Sequence, residues 1–358
     1  MSENTFNPNI AIHPGVTLQD TIDALEMTQS QLAERTGLTP KTINEIIQRK
    51  NPITSETAIR LASVFGTSAN FWNNLQKNYE QTLTVLEQEI QMKKETVHLP
   101  RFYFYKDLVK WNYIPATNNR LEKVKNLQNF YGVSSLTLIK EVEAVAFRKS
   151  PYSNLSHEAL AAWLRCGEIE ARQLKVGAYD KSKLIVALPE LRSLTTKEPK
   201  DFQKKMIEIC ASCGVAVVFV PHFKNTFVNG ATRWIGDKAI VQLSLRGSSS
   251  DIFWFTFFHE LGHLIKHGKT EQFVEFEKGH IDMIEKEKEA DEFAENILIP
   301  KSAFKEFFEK GQFSYLDVIQ FANEQNISPG IVAGRLSKRL NDWKRWSTLR
   351  NRLKFLEK

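Results

Sequence analysis

The run His259-Glu260-Leu261-Gly262-His263 has the residue types and the spacing of a zinc site. On a helix, histidines four residues apart project from one face, so both imidazoles can bind a single zinc ion. The glutamate between them lies beside the open coordination position, where it can take a proton from a water molecule. The motif predicts zinc-dependent hydrolysis, with His259 and His263 as metal ligands and Glu260 as the general base.

A third protein ligand must come from elsewhere in the chain. Metzincins place a glycine and a third histidine after the motif, but Lys266 and Lys269 occupy those positions here, which excludes that class. A glutamate on a later helix is the other common solution. Glu287 fits it, and Asp291, one helical turn further on, could orient a ligand histidine. Glu289 is the second choice for the ligand. Weaker candidates are Glu285, His267 and His280.

Two helices and a small sheet must position these side chains. The apolar pattern predicts a helix over 251–267 for the histidine motif and another over 284–299 for the carboxylates. Strands are predicted at 215–220 and 239–245, with a loop around Gly230 between them. The strand at 239–245 would then offer its edge to an extended peptide substrate. Three side chains are candidate hydrogen-bond donors to an oxyanion: Arg233, Arg246 and His222. A structural role is nonetheless favoured for each of them.

The flanking residues of the second half have structural interpretations. The aromatic cluster at 253–258 is predicted to be core beneath the active-site helix, and Cys210 and Cys213 are predicted to be buried and unpaired. The C-terminal stretch is predicted to be helical, with a break at 328–330. Residues 335–358 contain nine Lys/Arg and two Asp/Glu, which favours a solvated surface, or else one that contacts phosphates or a partner.

Several segments around the histidine motif form a recognisable combination, at 214–218, 229–234, 243–246, 255–263 and 287–300. Together they resemble the ImmA/IrrE metallopeptidases. This resemblance implies a zincin-like fold over about 201–305, with zinc bound by His259, His263 and Glu287 and with Glu260 as the general base. It also implies cleavage of a repressor protein. Ile299 departs from the family pattern, in which methionine is frequent at that position.

The N-terminal residues have the spacing of a helix-turn-helix. Ala33, Gly37 and Ile43 provide the small contact residue, the turn glycine and the branched apolar anchor that this motif requires. Short helices are predicted at 16–26, 29–36, 39–49, 54–66 and 68–90. A plain helical hairpin is the alternative. In the helix-turn-helix, the second helix would face DNA with Thr39, Lys41, Thr42, Asn44, Glu45 and Gln48.

The same region contains further characteristic segments, at 13–15, 32–33, 46–47, 53–54, 58–62 and 71–76. Together these segments resemble the HigA-type subgroup of Xre-like DNA-binding domains. The resemblance implies binding to double-stranded operator DNA, repression of the protein's own operon and a homodimer. Residues 1–80 contain six Lys/Arg and eight Asp/Glu, a balance that disfavours strong nonspecific DNA binding.

The composition is that of a globular protein, and the chain is long enough to contain both of these domains. The 358 residues are 42% hydrophobic and 25% charged, which excludes disorder as the main state and allows two or three domains. Three cysteines and an N-terminus without a signal-peptide pattern predict a cytoplasmic protein, and no apolar run is long enough for a membrane span.

The expected fold class is α+β and helix-rich. Four regions are expected: a helix-turn-helix domain at 1–80, a helical connecting region at 81–200, the zincin-like domain at 201–305 and a basic helical region at 306–358. The sequence predicts a transcriptional regulator fused to a zinc endopeptidase that cleaves a repressor or an antitoxin-like protein. The alternative is a HigA-like antitoxin and autorepressor whose zincin domain senses or docks a partner, such as a toxin, without proteolysis.

Overall fold

The computed structural model describes residues 10–139, 156–247, 249–269, 281–311 and 313–354, with the backbone alone at 281–284. The chain divides into two compact units, one formed by 1–99 with 118–125 and the other by 100–117 with 126–358. Helices predominate and one small sheet is present, which confirms the predicted helix-rich α+β class. In the part of the chain that the structure describes, no helix is both long and apolar enough to cross a membrane.

Capping signals place α2 as predicted, whereas the first helix begins and ends two residues earlier than predicted and the third ends two residues earlier. Thr28 and Thr39 cap α2 and α3 by accepting backbone N–H bonds, from Gln31 at 3.2 Å and Thr42 at 3.1 Å. Gly37 ends α2 in the left-handed conformation, with φ 66°. The helices are α1 Pro14–Ala24, α2 Gln29–Thr36, α3 Pro40–Ile47, α4 Ser55–Phe65 and α5 Ala69–Glu95.

One apolar core holds these five helices together. Leu18, Leu32, Ile43, Leu61 and Trp72 come from five different helices and are all fully buried. This packing fixes α2 and α3 against each other, as a helix-turn-helix requires, and leaves the polar side of α3 at the surface.

The sheet of the second unit differs from the prediction in one strand. The strands are β1 Val215–Phe219, β2 Gly230–Ile235 and β3 Lys238–Leu243. Their order is β1-β3-β2, with β1 parallel and β2 antiparallel to β3. The predicted loop at Gly230 is therefore wrong, because Gly230 begins β2. The expectation that 239–245 offers a free edge is also wrong: β3 is the central strand and is paired on both sides, so the edges of the described sheet are β1 and β2.

Further helices are described between residues 105 and 340, and those at 157–173, 199–212 and 250–266 pack directly against this sheet. The helices predicted at 251–267 and 284–299 are confirmed, with shifts of one to three residues at their ends. The helices are α6 Tyr105–Lys110, α7 Arg120–Tyr131, α8 His157–Gln173, α9 Lys181–Ser193, α10 Pro199–Ser212, α11 Ser250–Lys266, α12 Ile281–Leu298, α13 Lys301–Glu309, α14 Tyr315–Glu324 and α15 Pro329–Leu340.

The C-terminal stretch is less helical than predicted. Asn341 ends α15 in the left-handed conformation, with φ 52°. The described residues beyond it contain a 3-10 turn at Ser347–Leu349 and an isolated β-bridge between Arg352 and Ser249. Trp346 anchors this segment, because its buried indole donates a 3.0 Å hydrogen bond to the carbonyl of Phe313. Local packing and this bond replace the helical hydrogen bonds that the sequence pattern suggested.

Aromatic side chains of α11 form much of the core beneath the histidine motif. Phe253, Trp254, Phe257 and Phe258 are buried, as predicted. Phe255 differs, because it is only partly buried and lines the cleft described below. The expectation of two buried, unpaired cysteines is confirmed for both Cys210 and Cys213.

Candidate metal centre

The two histidines of the motif lie one turn apart on α11 and point toward the same place. Their Nε2 atoms are 3.0 Å apart. Gly262, between them in sequence, allows α12 to pack closely against α11. A Cβ at that position would lie 3.1 Å from Cδ1 of Phe293 and 3.2 Å from Cα of Ala290, closer than most Cβ contacts. The glycine therefore lets α12 bring its own side chains to the histidines.

Helix α12 contributes two carboxylates to the same cluster. Glu287 Oε2 is 3.2 Å from His259 Nε2, and Glu287 Oε1 is 3.6 Å from His263 Nε2. Asp291 contacts the other side of the first imidazole, with Oδ1 2.8 Å from His259 Nδ1. A bond at Nδ1 leaves Nε2 directed at the other two side chains. The ligand atoms of His259, His263 and Glu287 all lie within 4.8 Å of one another.

Electrostatics in this cluster favour a charged carboxylate beside the imidazoles. Burial by itself lowers the pKa of His259, but hydrogen bonds with Asp291 and Glu287 outweigh it and raise the pKa to about 10. Hydrogen bonds with His259 and His263 hold the pKa of Glu287 well below its usual range. The surroundings thus favour a protonated His259 beside a charged Glu287, and a bound cation would replace that proton.

The donor set fits zinc in chemistry and in number. Two imidazole nitrogens and one carboxylate oxygen are the protein ligands of many catalytic zinc sites, which keep a further position open. Glu289 lies outside this set, with Oε2 3.8 Å from Nδ1 of His267. Glu285 is exposed on α12, and His280 lies outside the described residues. Of the candidates that the sequence suggested, the structure brings together His259, His263, Glu287 and Asp291.

Glu260 projects from α11 toward strand β2. It is 7% exposed, and its Oε2 atom is 2.6 Å from the hydroxyl oxygen of Thr232. Gly230 also packs tightly here: a Cβ there would be 2.8 Å from Glu260 Oε1 and 2.6 Å from Cγ2 of Thr256. Sequence reasoning missed Gly230 and Thr232, since it assigned this segment to a loop. The β-branched and aromatic residues Thr232, Trp234 and Ile235 were the signal that could have indicated a strand.

A cleft of about 910 Å³ contains the metal-ligand candidates and Glu260. Strand β2 lines it along its whole length, and helix α15 contributes Arg335 and Lys338. Arg335 is held in place by its 2.8 Å hydrogen bond to the carbonyl of Ile299. Apolar contributions come from Leu160, Trp163, Leu164, Val228, Ile252, Phe255, Leu298, Ile299, Ile331 and Trp343. The cleft is large enough to bind several residues of a peptide.

The arginines considered as oxyanion donors have structural partners. Arg233 Nη2 donates to the carbonyl of Leu164 at 2.5 Å, and Arg246 Nη1 donates to that of Phe227 at 3.1 Å. Burial, and then the charge of Arg246, lower the pKa of His222. Of these three residues, Arg233 alone is among those that line the described cleft.

The predicted DNA-facing residues lie on α3 or at its ends. Ala33 and Ile43 are buried, in agreement with their predicted packing roles. Glu45 Oε1 lies 3.8 Å from Lys41 Nζ, and Glu45 Oε2 accepts a 2.8 Å hydrogen bond from Asn51 Nδ2. Thr39, Lys41 and Gln48 are exposed, whereas Thr42, Asn44 and Glu45 are partly exposed. The six side chains therefore form one polar surface that is accessible to a ligand.

Comparison with known proteins assigns a domain to each of these sites. The model of the helix-turn-helix family matches residues 18–72, and the model of the IrrE N-terminal-like domain, Peptidase_M78, matches residues 223–337. Virulence-associated protein I of Dichelobacter nodosus is 37% identical over 82 residues, 23% of this chain and 74% of that protein. YddM, an uncharacterized HTH-type transcriptional regulator of Escherichia coli, is 33% identical over 63 residues, 18% of this chain and 67% of that protein.

Solved structures similar to the N-terminal region include two antitoxins. An addiction module antidote protein of the HigA family from Coxiella burnetii is 34% identical and matches 24% of this chain and 94% of its own, with a TM-score of 0.23. Antitoxin HigA of Pseudomonas aeruginosa, solved with the higBA promoter, is 32% identical and matches 24% of this chain and 95% of its own, also with a TM-score of 0.23.

Proposed function

Since the chain belongs to the helix-turn-helix proteins through its N-terminal domain, and carries an IrrE N-terminal-like peptidase domain, we propose that it is a DNA-binding regulator with zinc endopeptidase activity. Its substrate is a repressor or an antitoxin-like protein. One observation carries the proposal: His259, His263 and Glu287 converge beside buried Glu260 in a cleft lined by an edge strand.

Zinc is the metal that the proposed site would hold. His259 and His263 would bind it through Nε2, Glu287 through its carboxylate, and Asp291 would keep His259 oriented through Nδ1. When bound, zinc would supply a Lewis acid for the scissile carbonyl and lower the pKa of a water molecule to about 7.

Glu260 is the proposed proton carrier. Its carboxylate would accept a proton from the attacking water and deliver it to the leaving amine, as general acid–base catalysis of peptide hydrolysis requires. Burial against Gly230 and Thr232 excludes much solvent from this carboxylate. Glu260 lies next to the histidines but is not one of the three residues whose ligand atoms converge. This placement fits a base rather than a metal ligand.

Strand β2 is the proposed binding site for the substrate backbone. Within the described residues it pairs with β3 alone, so its other edge presents backbone N–H and C=O groups. An extended peptide can add to such an edge as a further strand. Gly230 and Thr232 of the same strand contact Glu260, so this position would bring the scissile bond close to the base.

DNA binding is assigned to the surface of α3. Lys41 and Asn44 would contact phosphates or base edges, with Thr39, Thr42, Glu45 and Gln48 beside them. A homodimer binding a symmetric operator fits the helix-turn-helix class. The proposal also includes domain boundaries at residues 80, 200 and 305 and a cytoplasmic location. It further includes a contribution of the basic C-terminal residues to phosphate binding.

Glu260→Gln tests the enzymatic part of the proposal. Glutamine keeps the size of the side chain but cannot act as the base, so cleavage should fall by about 10²–10⁴-fold while zinc content and DNA binding stay unchanged. Glu289→Gln is the matched control, since that carboxylate faces His267 instead of the cluster. The assay follows the lifetime of candidate repressors in cells that express the wild-type or variant protein under DNA-damage stress.

Equal repressor lifetimes and equal regulated transcripts in the wild-type and Glu260→Gln strains would contradict proteolysis. A HigA-like autorepressor with a docking or sensing zincin domain would then explain the chain better.

Lys41→Ala and Asn44→Ala test the DNA-binding part. Both should weaken binding to the protein's own promoter, and Lys41→Ala should reduce the slope of log affinity against log salt by about 0.9 if it neutralises one phosphate. Lys77→Ala removes the same charge from an exposed position on α5 and serves as the control. Unchanged promoter binding in both α3 variants would assign DNA recognition to other residues.

A further inference from the structure

We propose that Thr232 is a positioning residue that holds the carboxylate of Glu260 in its productive orientation through a hydroxyl hydrogen bond. The inference rests on the proposed peptidase function and deepens it. Thr232 was outside the set of residues that the sequence indicated, and its role follows from the contact between β2 and α11.

The register of the sheet fixes the position of Thr232. It lies opposite Val241 of the central strand β3, in the middle of β2. Alternate residues of a strand face opposite sides, so Thr232 shares a face with Gly230, and both contact Glu260. Arg233 faces the other side, where it donates to the carbonyl of Leu164 on α8. Both sides of this part of β2 are thus tied to neighbouring helices.

The proton of the Thr232 hydroxyl has one clear acceptor. The oxygen lies 2.6 Å from Glu260 Oε2 and 3.0 Å from the backbone carbonyl of Glu260. A threonine hydroxyl carries a single proton. The backbone carbonyl is inside α11, where it accepts the N–H of Leu264 in the helical pattern. The carboxylate has no such partner on its own helix, and the shorter distance is typical of a hydroxyl that donates to a charged oxygen.

This bond restricts the motion of a base that must stay aligned. With Oε2 engaged by Thr232, and with Gly230 packed against Oε1, the carboxylate cannot turn freely within the cleft. Loss of the hydroxyl would remove one of these restraints and leave Oε2 without its donor. A misplacement of about 1 Å at a reacting group can reduce the rate by about 10²-fold. Thr232 would therefore affect turnover much more than substrate affinity.

The test compares Thr232→Val, Thr232→Ser and the wild-type full-length chain, all loaded with zinc. Valine keeps the branched shape without the hydroxyl, and serine keeps the hydroxyl. With the best-cleaved peptide from a quenched fluorescent peptide library, Thr232→Val should lower kcat by about 10–100-fold, with KM within about twofold of wild type. Thr232→Ser should restore kcat to within about threefold of wild type. Zinc content should be equal in all three proteins.

Thr226→Val is the matched control. It removes another buried threonine hydroxyl of the same unit, one that donates to the carbonyl of Phe223 and not to Glu260. It should lower thermal stability without the selective loss of kcat. If Thr232→Val does not fold, Thr232→Ala provides the same comparison with less steric demand.

Three results would overturn the role of Thr232 while the proposed function stands. The first is a wild-type kcat in Thr232→Val. The second is an equal loss in Thr232→Ser and Thr232→Val, which would assign the effect to packing. The third is a loss of zinc together with kcat, which would contradict a positioning role. If the zinc-loaded wild-type chain cleaves no peptide faster than Glu260→Gln does, the proposed function fails and the inference about Thr232 fails with it.

Discussion

Removal of the Asp291 carboxylate should weaken zinc binding without removing any ligand. Asp291 Oδ1 lies 2.8 Å from His259 Nδ1, on the side of the ring opposite the cluster. The bond keeps the imidazole in the tautomer and orientation that direct Nε2 toward His263 and Glu287. In Asp291→Ala, this histidine would have to be ordered by the metal itself, and the gain in basicity from the neighbouring carboxylate would be lost.

The expected loss follows from the single bond that is removed. Partners of ligand histidines typically change metal affinity by about 10–100-fold, which corresponds to about 1.4–2.8 kcal/mol. The bond is short and partly buried, and it is the first of the two hydrogen bonds that raise the pKa of His259, so we expect the upper half of that range for Asp291→Ala. Asp291→Asn should lie between alanine and wild type, because an amide oxygen can still accept the Nδ1 proton but lacks the charge.

Competition with a chromophoric zinc chelator at fixed pH measures these affinities. Glu292→Ala is the matched control on the same helix. The Glu292 side chain is 68% exposed, and its Oε1 atom lies 4.0 Å from Nζ of Lys288. It should keep wild-type zinc affinity. An Asp291→Ala protein that binds zinc as tightly as Glu292→Ala would refute the assignment of Asp291 as the group that orients His259.

Three further results are expected. Gly230→Ala should strongly reduce cleavage with promoter binding retained, because the added Cβ would lie 2.8 Å from Glu260 Oε1. Zinc binding at pH 7 should release about one proton, because the pKa of His259 is raised to about 10. Calorimetry in buffers of different ionisation enthalpy measures this release. The apparent affinity for zinc should fall as the pH falls. Gly334→Ala should lower the Tm by several degrees, because its Cβ would meet Asp251 Oδ2 at 2.3 Å.

Much of the local structure was predictable because its signals lie within a few residues. Thr28 and Gly37 bound α2 as capping rules predict, and α2 has the predicted ends. The helical spacing of His259 and His263 placed both on one face of α11, and the Glu287–Asp291 spacing placed both carboxylates on one side of α12. Each of these inferences needs only the period of a helix.

The rest depends on contacts between residues distant in sequence. Strand β2 was missed because Asn229-Gly230 is a turn signal and every residue of β2 is only half-buried, so no apolar run marks it. Its contact with α11, and hence the bond between Thr232 and Glu260, exists only once β3 pairs on both sides. The C-terminal stretch has a helical pattern, but Trp346 instead anchors it to Phe313. Tertiary packing thus overrode local propensity there.

Anomalous diffraction at the zinc absorption edge tests the central claim most directly. Crystals of the zinc-loaded full-length chain should show one strong peak, about 2.0–2.2 Å from Nε2 of His259, Nε2 of His263 and a carboxylate oxygen of Glu287. Asp291 should remain bonded to Nδ1 of His259. Absence of a peak at this cluster, or a peak coordinated by Glu289 in place of Glu287, would contradict the proposed metal centre.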